Sequence, residues 1–281
     1  MTSQADKARA FRALHEASDP FVIPNPWDIG SARLLEALGF KALATTSAGY
    51  AFSRGVPDNA VGREQMIRHL ADLAPATNLP VSADLENGFG DAPEDAAETI
   101  RQAAAAGVVG GSIEDATGRA GDPIYAYDLA VERVRAAVEA ARALPFPFML
   151  TARAENYLVG RPDLAGTIRR LQAFQEAGAD VLYAPGLKTR EDIAAVVSSV
   201  DRPVNVLMGM AGMPFSVEEL AQMGVKRISV GGALARAALG AMLRAAKEML
   251  LRGTFTYTSE AATMKEITDL FASVRKPDRA D

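Results

Sequence analysis

Short apolar runs alternate with longer amphipathic stretches along almost the whole chain. The short runs are rich in β-branched residues, whereas the stretches between them repeat apolar positions at helical spacing. This alternation predicts repeated strand–helix units and a parallel sheet. Eight strands are predicted, at residues 21–24, 42–46, 81–85, 110–114, 148–153, 181–184, 204–208 and 227–230.

Eight consecutive units predict an α/β fold of the (β/α)₈ TIM-barrel type. An open doubly wound sheet is the alternative, but closure of the barrel removes the exposed edge strands that an open sheet would keep. Helical patterns before the first strand, over 233–252 and over 259–272, predict an N-terminal helix, the eighth barrel helix and an extra C-terminal helix. We expect one domain over 1–281, with a barrel core at about 20–252 and an extension at 253–281.

Composition narrows the possible functions. The 281 residues are 49% hydrophobic and 23% charged, with a net charge of -5, so no basic face is available for nucleic acid. No apolar run reaches the roughly 18 residues of a membrane span, and we expect a cytoplasmic protein. Cysteine is absent, and both histidines, His15 and His69, lie in segments predicted to be outer helices. Carboxylates, arginines, tyrosines and a metal ion remain as sources of chemistry.

Acidic residues stand where the third and fourth predicted strands end, at the barrel face that carries active sites. Asp84 and Glu86 are two residues apart and share one side of a strand, and Glu114 ends the next strand. Oxygen ligands of this kind favour Mg²⁺, with Mn²⁺ as a substitute. The alternative is that these acids pair with Arg153 and close the barrel mouth without a metal ion.

Arg153 ends the fifth predicted strand. Its planar guanidinium is suited to bidentate binding of a carboxylate or phosphoryl group. A structural ion pair with Glu155 or Glu114 is the alternative. A Schiff-base mechanism is disfavoured because Lys41 and Lys226 precede strands instead of following them, which leaves Lys188, in the loop past the sixth strand, as the remaining candidate.

Several motifs, in this order, make the chain resemble the isocitrate lyase and phosphoenolpyruvate mutase superfamily from about residue 24 to residue 252. They are NPWD at 25–28, TTSAG at 45–49, GVPD at 55–58, DLENGFG at 84–90, SIED at 112–115 and TARAE at 151–155. The resemblance implies that Asp84 binds Mg²⁺ directly, and that Asp58, Glu86 and Glu114 reach it mainly through water. It also implies a homo-oligomer, a dimer or tetramer, in which the eighth helix is exchanged between barrels.

The same resemblance implies a small 2-oxo carboxylate as substrate. Its carboxylate would lie in the turn Ser47, Ala48 and Gly49, and Arg153 would bind the substrate and stabilise an enolate. The candidate catalytic residues are Arg153, Glu114 and Asp58. The candidate substrate-binding residues are Ser47, Ala48, Gly49, Arg153 and Asn205, and the candidate metal ligands are Asp84, Glu86 and Glu114.

The loop at 116–123 departs from the resemblance. It carries neither the cysteine of the superfamily's lyases nor the lysine and asparagine of its phosphonate-handling members. We therefore expect a Mg²⁺-dependent carbon–carbon lyase or decarboxylase of a 2-oxo or 2-hydroxy dicarboxylate, similar to oxaloacetate, isocitrate or methylisocitrate. Tyr50 is a candidate proton donor, with simple packing as its alternative. A phosphonate P–C enzyme and a catalytically silent 2-oxo acid binding protein are the other functions considered.

Overall fold

The runs of β-branched and small residues form the strands of a parallel barrel, as the computed structural model of residues 2–274 shows. Hydrogen bonds link the strands in the order β1-β8-β7-β6-β5-β4-β3-β2. The predicted (β/α)₈ barrel is thereby confirmed. The strands are β1 (Phe21–Ile23), β2 (Leu43–Ala44), β3 (Val81–Asp84), β4 (Gly110–Glu114), β5 (Met149–Arg153), β6 (Val181–Tyr183), β7 (Val204–Leu207) and β8 (Arg227–Ser229).

Asn25 closes the barrel where β1 meets its neighbours. Its amide nitrogen donates to the carbonyl of Thr45 at 3.0 Å, and its side-chain oxygen accepts from the N–H groups of Val230 and Gly231 at 2.8 and 2.9 Å. The N–H of Ala44 also donates to the carbonyl of Pro24 at 3.1 Å. One buried amide therefore holds the ends of the first, second and eighth strands together.

Helices cover the outside of the barrel, and polar caps set where several of them begin. The side chains of Asp28, Thr46 and Asp163 each accept a backbone N–H in the first turn of a helix, which satisfies a donor that the helix leaves free. His15 and His69 lie on helices, as predicted, and both are buried. The helices are α1 (Gln4–Glu16), α2 (Ile29–Ala37), α3 (Ser47–Ser53), α4 (Arg63–Leu73), α5 (Pro93–Ala105), α6 (Tyr127–Arg142), α7 (Leu164–Glu176), α8 (Arg190–Ser198), α9 (Val217–Gln222), α10 (Ala233–Arg252) and α11 (Met264–Ser273).

The extra C-terminal helix begins later than the pattern over 259–272 predicts. A short 3₁₀ helix, Thr256–Glu260, precedes it, and the hydroxyl of Thr263 then caps α11 by accepting the N–H of Glu266. The apolar spacing did not distinguish a 3₁₀ turn from the first α-turn, and the cap sets the start. Helix α11 packs on α2. The part of the predicted extension at 275–281 lies outside the described residues.

The main core fills the space between the sheet and the helices and is built from aliphatic side chains and alanine. A smaller cluster around Phe11 and Ile23 closes the opposite end of the barrel under α1. Polar groups are concentrated at the carboxyl ends of the strands, where a cavity opens. None of the helices described over residues 2–274 is both long and apolar enough to cross a membrane.

Candidate active site

A cavity of about 660 Å³ lies at the carboxyl ends of the barrel strands. Polar and apolar groups share its wall about equally, and several charged side chains converge in it, which is typical of a site for a small polar ligand. The predicted residues Ser47, Ala48, Asp58, Asp84, Glu86, Glu114 and Arg153 all line it, together with Glu155, Tyr183, Arg227 and Ser229.

Arg153 lies among three carboxylates in this cavity. Its Nη1 is 2.9 Å from Asp84, its Nη2 is 3.0 Å from Glu114, and its Nε is 2.7 Å from Glu155. Strand register explains the arrangement, because Glu114 on β4 and Tyr183 on β6 are the direct neighbours of Arg153 on β5. The structure thus has the ion pairs that the sequence left open as an alternative to ligand binding, and it has them inside the predicted cavity.

Asp84 is held from its other side by the start of α3. The backbone N–H and the hydroxyl of Ser47 donate to Asp84 Oδ2 at 3.0 and 2.9 Å. The Asp84 N–H in turn donates to the hydroxyl of Thr45 at 2.9 Å. Asp84 Oδ1 accepts from Arg153, so both carboxylate oxygens are fixed in direction. Ser47 therefore contacts the candidate metal ligand directly.

The other carboxylates repel one another. Burial and the nearby charges of Asp84 and Asp58 raise the pKa of Glu86 to about 8. Partial desolvation and the charge of Asp84 also raise the pKa of Asp58, and burial raises that of Glu114 in spite of its bond to Arg153. If all of these carboxyl groups were ionised, the cluster would hold more negative charge than the arginine alone could balance, and the raised pKa values are the consequence.

This excess charge is what a bound cation would relieve. Glu86 has a backbone φ of +48°, and its Oε1 is buried with no hydrogen-bond partner. An orphaned carboxylate oxygen beside Asp84 suits a hard divalent ion. Within residues 2–274 no three acidic or histidine side chains stand ready as a complete ligand set. Mg²⁺ commonly takes one or two carboxylates and completes its shell with water and substrate oxygens, so the donor set fits Mg²⁺.

Glu155 anchors the arginine. Its carboxylate is buried and accepts from Arg153 Nε, and its own N–H donates to the buried carboxylate of Asp115 at 2.8 Å. Asp115 is paired in turn with Arg170 at 3.1 Å. Burial opposes the charge of Arg153, but the charges of Glu155, Glu114 and Asp84 outweigh it and raise the pKa of the guanidinium further. Arg153 is therefore a permanent cation.

The turn at 47–49 is only partly available to a ligand. Ser47 and Ala48 line the cavity, whereas Gly49 gives its N–H to the hydroxyl of Thr46 at 3.2 Å. A Cβ at Gly49 would lie 2.7 Å from Thr46 Cγ2 and 2.9 Å from Trp27 Cβ. This close packing explains why the residue is a glycine. Ala48 faces the cavity, whereas Gly49 does not line it.

Asn205 lies one layer deeper than the predicted substrate-binding set. Its side-chain oxygen accepts from Arg227 Nε at 2.9 Å, and its amide nitrogen donates to Ser229 Oγ at 2.9 Å. Asn205 does not line the cavity, but Ser229 and Arg227 do. Asn205 can therefore reach a ligand only through these two neighbours.

Sequence reasoning missed Tyr183, Ser229 and Arg227 as site residues. Each is a polar residue at an end of a short apolar strand, which is the only signal that the chain offered. Tyr50, by contrast, is outside the cavity: its ring stacks on His69 with ring centres 3.9 Å apart. That contact favours the packing alternative for Tyr50.

A (β/α)₈ barrel that holds an arginine among carboxylates in a cavity at the strand ends has the architecture of an enzyme for small anions. Comparison with known proteins narrows the class. The family model described as phosphoenolpyruvate phosphomutase matches residues 11–250, and the chain belongs to the isocitrate lyase and phosphoenolpyruvate mutase superfamily.

Individual relatives agree with this assignment. A putative lyase/mutase from Burkholderia cenocepacia J2315 has 66% identity and a TM-score of 0.94, over 96% of this chain and 97% of that one. Oxaloacetate decarboxylase of Paraburkholderia xenovorans is 30% identical over 234 residues, 80% of this chain and 75% of the relative. The structure of oxaloacetate acetylhydrolase with its product oxalate has 27% identity and a TM-score of 0.85, over 97% of this chain and 96% of that one.

Proposed function

We propose that this protein is a Mg²⁺-dependent carbon–carbon lyase or decarboxylase of a small 2-oxo or 2-hydroxy dicarboxylate and that it works through an enolate. The observation that carries the proposal is the position of Arg153, a permanent cation in contact with Asp84 and Glu114 inside the cavity. Two of the relatives described above carry names that refer to oxaloacetate, and so oxaloacetate is the first substrate to test.

Acidic side chains at the ends of β3 and β4 would hold the metal ion, together with water and substrate oxygens. Asp84 is the candidate direct ligand, and Glu86 and Glu114 lie beside it, with Asp58 near enough to act through water. Mg²⁺ bound there would polarise the 2-oxo group of the substrate. The mutual repulsion of these acids supports the assignment, since the cation offsets it.

The arginine would change partners when a ligand enters. Asp84 and Glu114 occupy its two terminal nitrogens, and Glu155 occupies Nε. If the first two acids turn toward a cation, Nη1 and Nη2 are freed together, and Glu155 still orients the guanidinium plane. Two adjacent N–H donors then match the two oxygens of a carboxylate or the oxygen of a developing enolate.

The loop over the cavity would exclude water. Gly118, Arg119, Ala120 and Pro123 line the cavity, and Arg119 pairs with Asp91 outside it at 2.8 Å. This ion pair would hold the loop over the cavity entrance. The enolate of a decarboxylation is protected from premature side reactions when solvent is kept out.

The proposal includes a homo-oligomer. Of the residues of α10, only Ala235 and Glu248 are buried, while Leu250 and Leu251 at its end are 83% and 76% exposed. Large apolar side chains exposed side by side on one helix are typical of an interface. A packed eighth helix from a second copy of the chain would cover them.

Turnover of a substrate panel tests the function. We would supply oxaloacetate, 3-methyloxaloacetate, methylisocitrate and phosphonopyruvate with Mg²⁺, and follow CO₂, 2-oxo acid products and inorganic phosphate. We expect CO₂ and pyruvate from oxaloacetate above the rate of the metal ion alone, with loss of activity in Arg153→Ala and Asp84→Ala. Phosphate release from phosphonopyruvate, or binding without any turnover, would contradict the proposal.

A further inference from the structure

The strands β6, β7 and β8 carry a chain of buried polar side chains in the wall of the cavity and directly behind it. Arg227, the first residue of β8, is only 3% exposed, and in the described part of the chain it has no carboxylate partner. Its Nε donates to Asn205, and its Nη1 has no hydrogen-bond partner. A buried guanidinium without a counter-charge costs stability, and its place in the cavity wall indicates a function.

The direction of each hydrogen bond in this chain follows from the arginine. A guanidinium only donates, so Asn205 must turn its oxygen toward Arg227. Its amide nitrogen then donates to Ser229 Oγ at 2.9 Å. Ser229 has used its oxygen as an acceptor, so its hydrogen is left to point toward Tyr183, which lines the same cavity. The guanidinium of Arg227 thus sets the orientation of the Ser229 hydroxyl through two hydrogen bonds.

Tyr183 is at the upper end of the chain. It ends β6 directly beside Arg153, whose guanidinium carbon is 5.1 Å from the centre of the tyrosine ring. If its oxygen accepts from Ser229, its own hydrogen can point at a ligand in the cavity. The cavity wall contains no cysteine, lysine or histidine, and its carboxyl groups would be ionised while they face the cation or Arg153. Serine and threonine are far weaker acids than a phenol, whose ordinary pKa is about 10. Burial raises the pKa of Tyr183 above that value, so the phenol keeps its proton until the enolate forms.

We propose that Tyr183 is the catalytic acid that protonates the enolate carbon, and that Arg227 is a positioning residue that acts through Asn205 and Ser229. This inference rests on the proposed function. In the step, the O–H bond of Tyr183 breaks and a C–H bond forms at the carbon that has lost CO₂. The phenolate that remains is stabilised by the Ser229 hydroxyl and by the charges of Arg153 and Arg227. It regains a proton from water when the product leaves.

The test uses Mg²⁺-loaded protein and 3-methyloxaloacetate in D₂O. CO₂ release gives the rate, and reduction of the 2-oxobutanoate in the same tube preserves the configuration at the new C–D bond for NMR. We expect one configuration from the natural sequence. In Tyr183→Phe we expect kcat to fall roughly 100-fold, KM to change by less than about threefold, and the residual product to contain both configurations equally.

The matched control is Tyr50→Phe, which removes a phenol outside the cavity and is expected to keep both rate and configuration. Arg227→Met should lose selectivity like Tyr183→Phe, and Arg227→Lys, which keeps a donor and a charge, should restore part of it. Since loss of a buried cation can impair folding, Ser229→Ala breaks the same chain by deletion of one oxygen. Circular dichroism verifies the fold of each variant.

Two negative results have different meanings. If the natural sequence releases no CO₂ from any 2-oxo dicarboxylate, the proposed function fails and this inference fails with it. If it turns over but Tyr183→Phe keeps the rate and a single configuration, the function stands and Tyr183 is not the acid. Normal selectivity in Arg227→Met and Ser229→Ala would overturn the positioning role alone.

Discussion

Binding of Mg²⁺ should displace a proton from Glu86. The pKa of this carboxyl is raised to about 8 by burial and by the charges of Asp84 and Asp58, so without a cation it is mostly neutral at pH 6. A metal ion needs the ionised form. Its affinity should therefore increase from pH 6 to about pH 8 and change less above that.

The size of the effect follows from the ionised fraction. With a pKa of about 8, that fraction rises from roughly one in a hundred at pH 6 to one half at pH 8, so the affinity for Mg²⁺ should increase about 50-fold, or about 2 kcal/mol. Asp58 and Glu114, whose pKa values are also raised, can only add to this slope.

Isothermal titration of MgCl₂ at pH 6, 7 and 8, in two buffers with different ionisation enthalpies, gives both the affinity and the number of protons released. In Glu86→Gln the number of protons released at pH 7 should fall by about one. The Mg²⁺ affinity of the variant should approach that of the natural protein at pH 6, where Glu86 is mostly neutral. Glu94→Gln, a change at an exposed acid on α5, is the control. An affinity that is constant from pH 6 to 8, or an equal slope in Glu86→Gln, would refute the reasoning.

Three further predictions concern packing, acid stability and the loop. Gly49→Ala should destabilise the fold by about 1–3 kcal/mol in urea, because its Cβ would lie 2.7 Å from Thr46 Cγ2, while Gly121→Ala, with open space around it, should leave stability unchanged. Burial lowers the pKa of His15 to about 3, so the neutral histidine is compatible with folding above pH 6.5, and protonation costs stability as pH falls below that value. Between pH 7 and 5, the free energy of unfolding of His15→Gln should therefore decrease by about 2 kcal/mol less than that of the natural sequence. Arg119→Ala should release the loop from Asp91, raise KM for oxaloacetate and speed proteolysis near residue 120. Unchanged cleavage would contradict the proposed role of the Arg119–Asp91 ion pair.

The barrel could be predicted because its signals are local. Each strand from β1 to β8 is a short apolar run, and turns with glycine, such as those at Gly107 and Gly178, separate helix from strand. The start of α11 was misplaced because a 3₁₀ turn and an α-turn share the same apolar spacing over a few residues.

One part of the candidate site could be predicted from the sequence, and another part could not. Asp84, Glu86, Glu114 and Arg153 are charged residues at the ends of apolar strands, and parallel register brings such ends together. The layer beneath them was not visible in the sequence. The contact of Arg227 with Asn205 depends on the way two strands face each other inside the barrel, which no local pattern encodes.

The central claim is that the cavity binds a divalent ion and a planar dicarboxylate together, with Arg153 as the organic anion's partner. The most direct measurement is a calorimetric titration of oxalate, whose planar carboxylates resemble an enolate, in the presence of Mg²⁺ and again in EDTA. We expect binding at least tenfold tighter with Mg²⁺, a difference of about 1.4 kcal/mol or more, and loss of this gain in Arg153→Met. Equal affinity with Mg²⁺ and with EDTA would contradict the account.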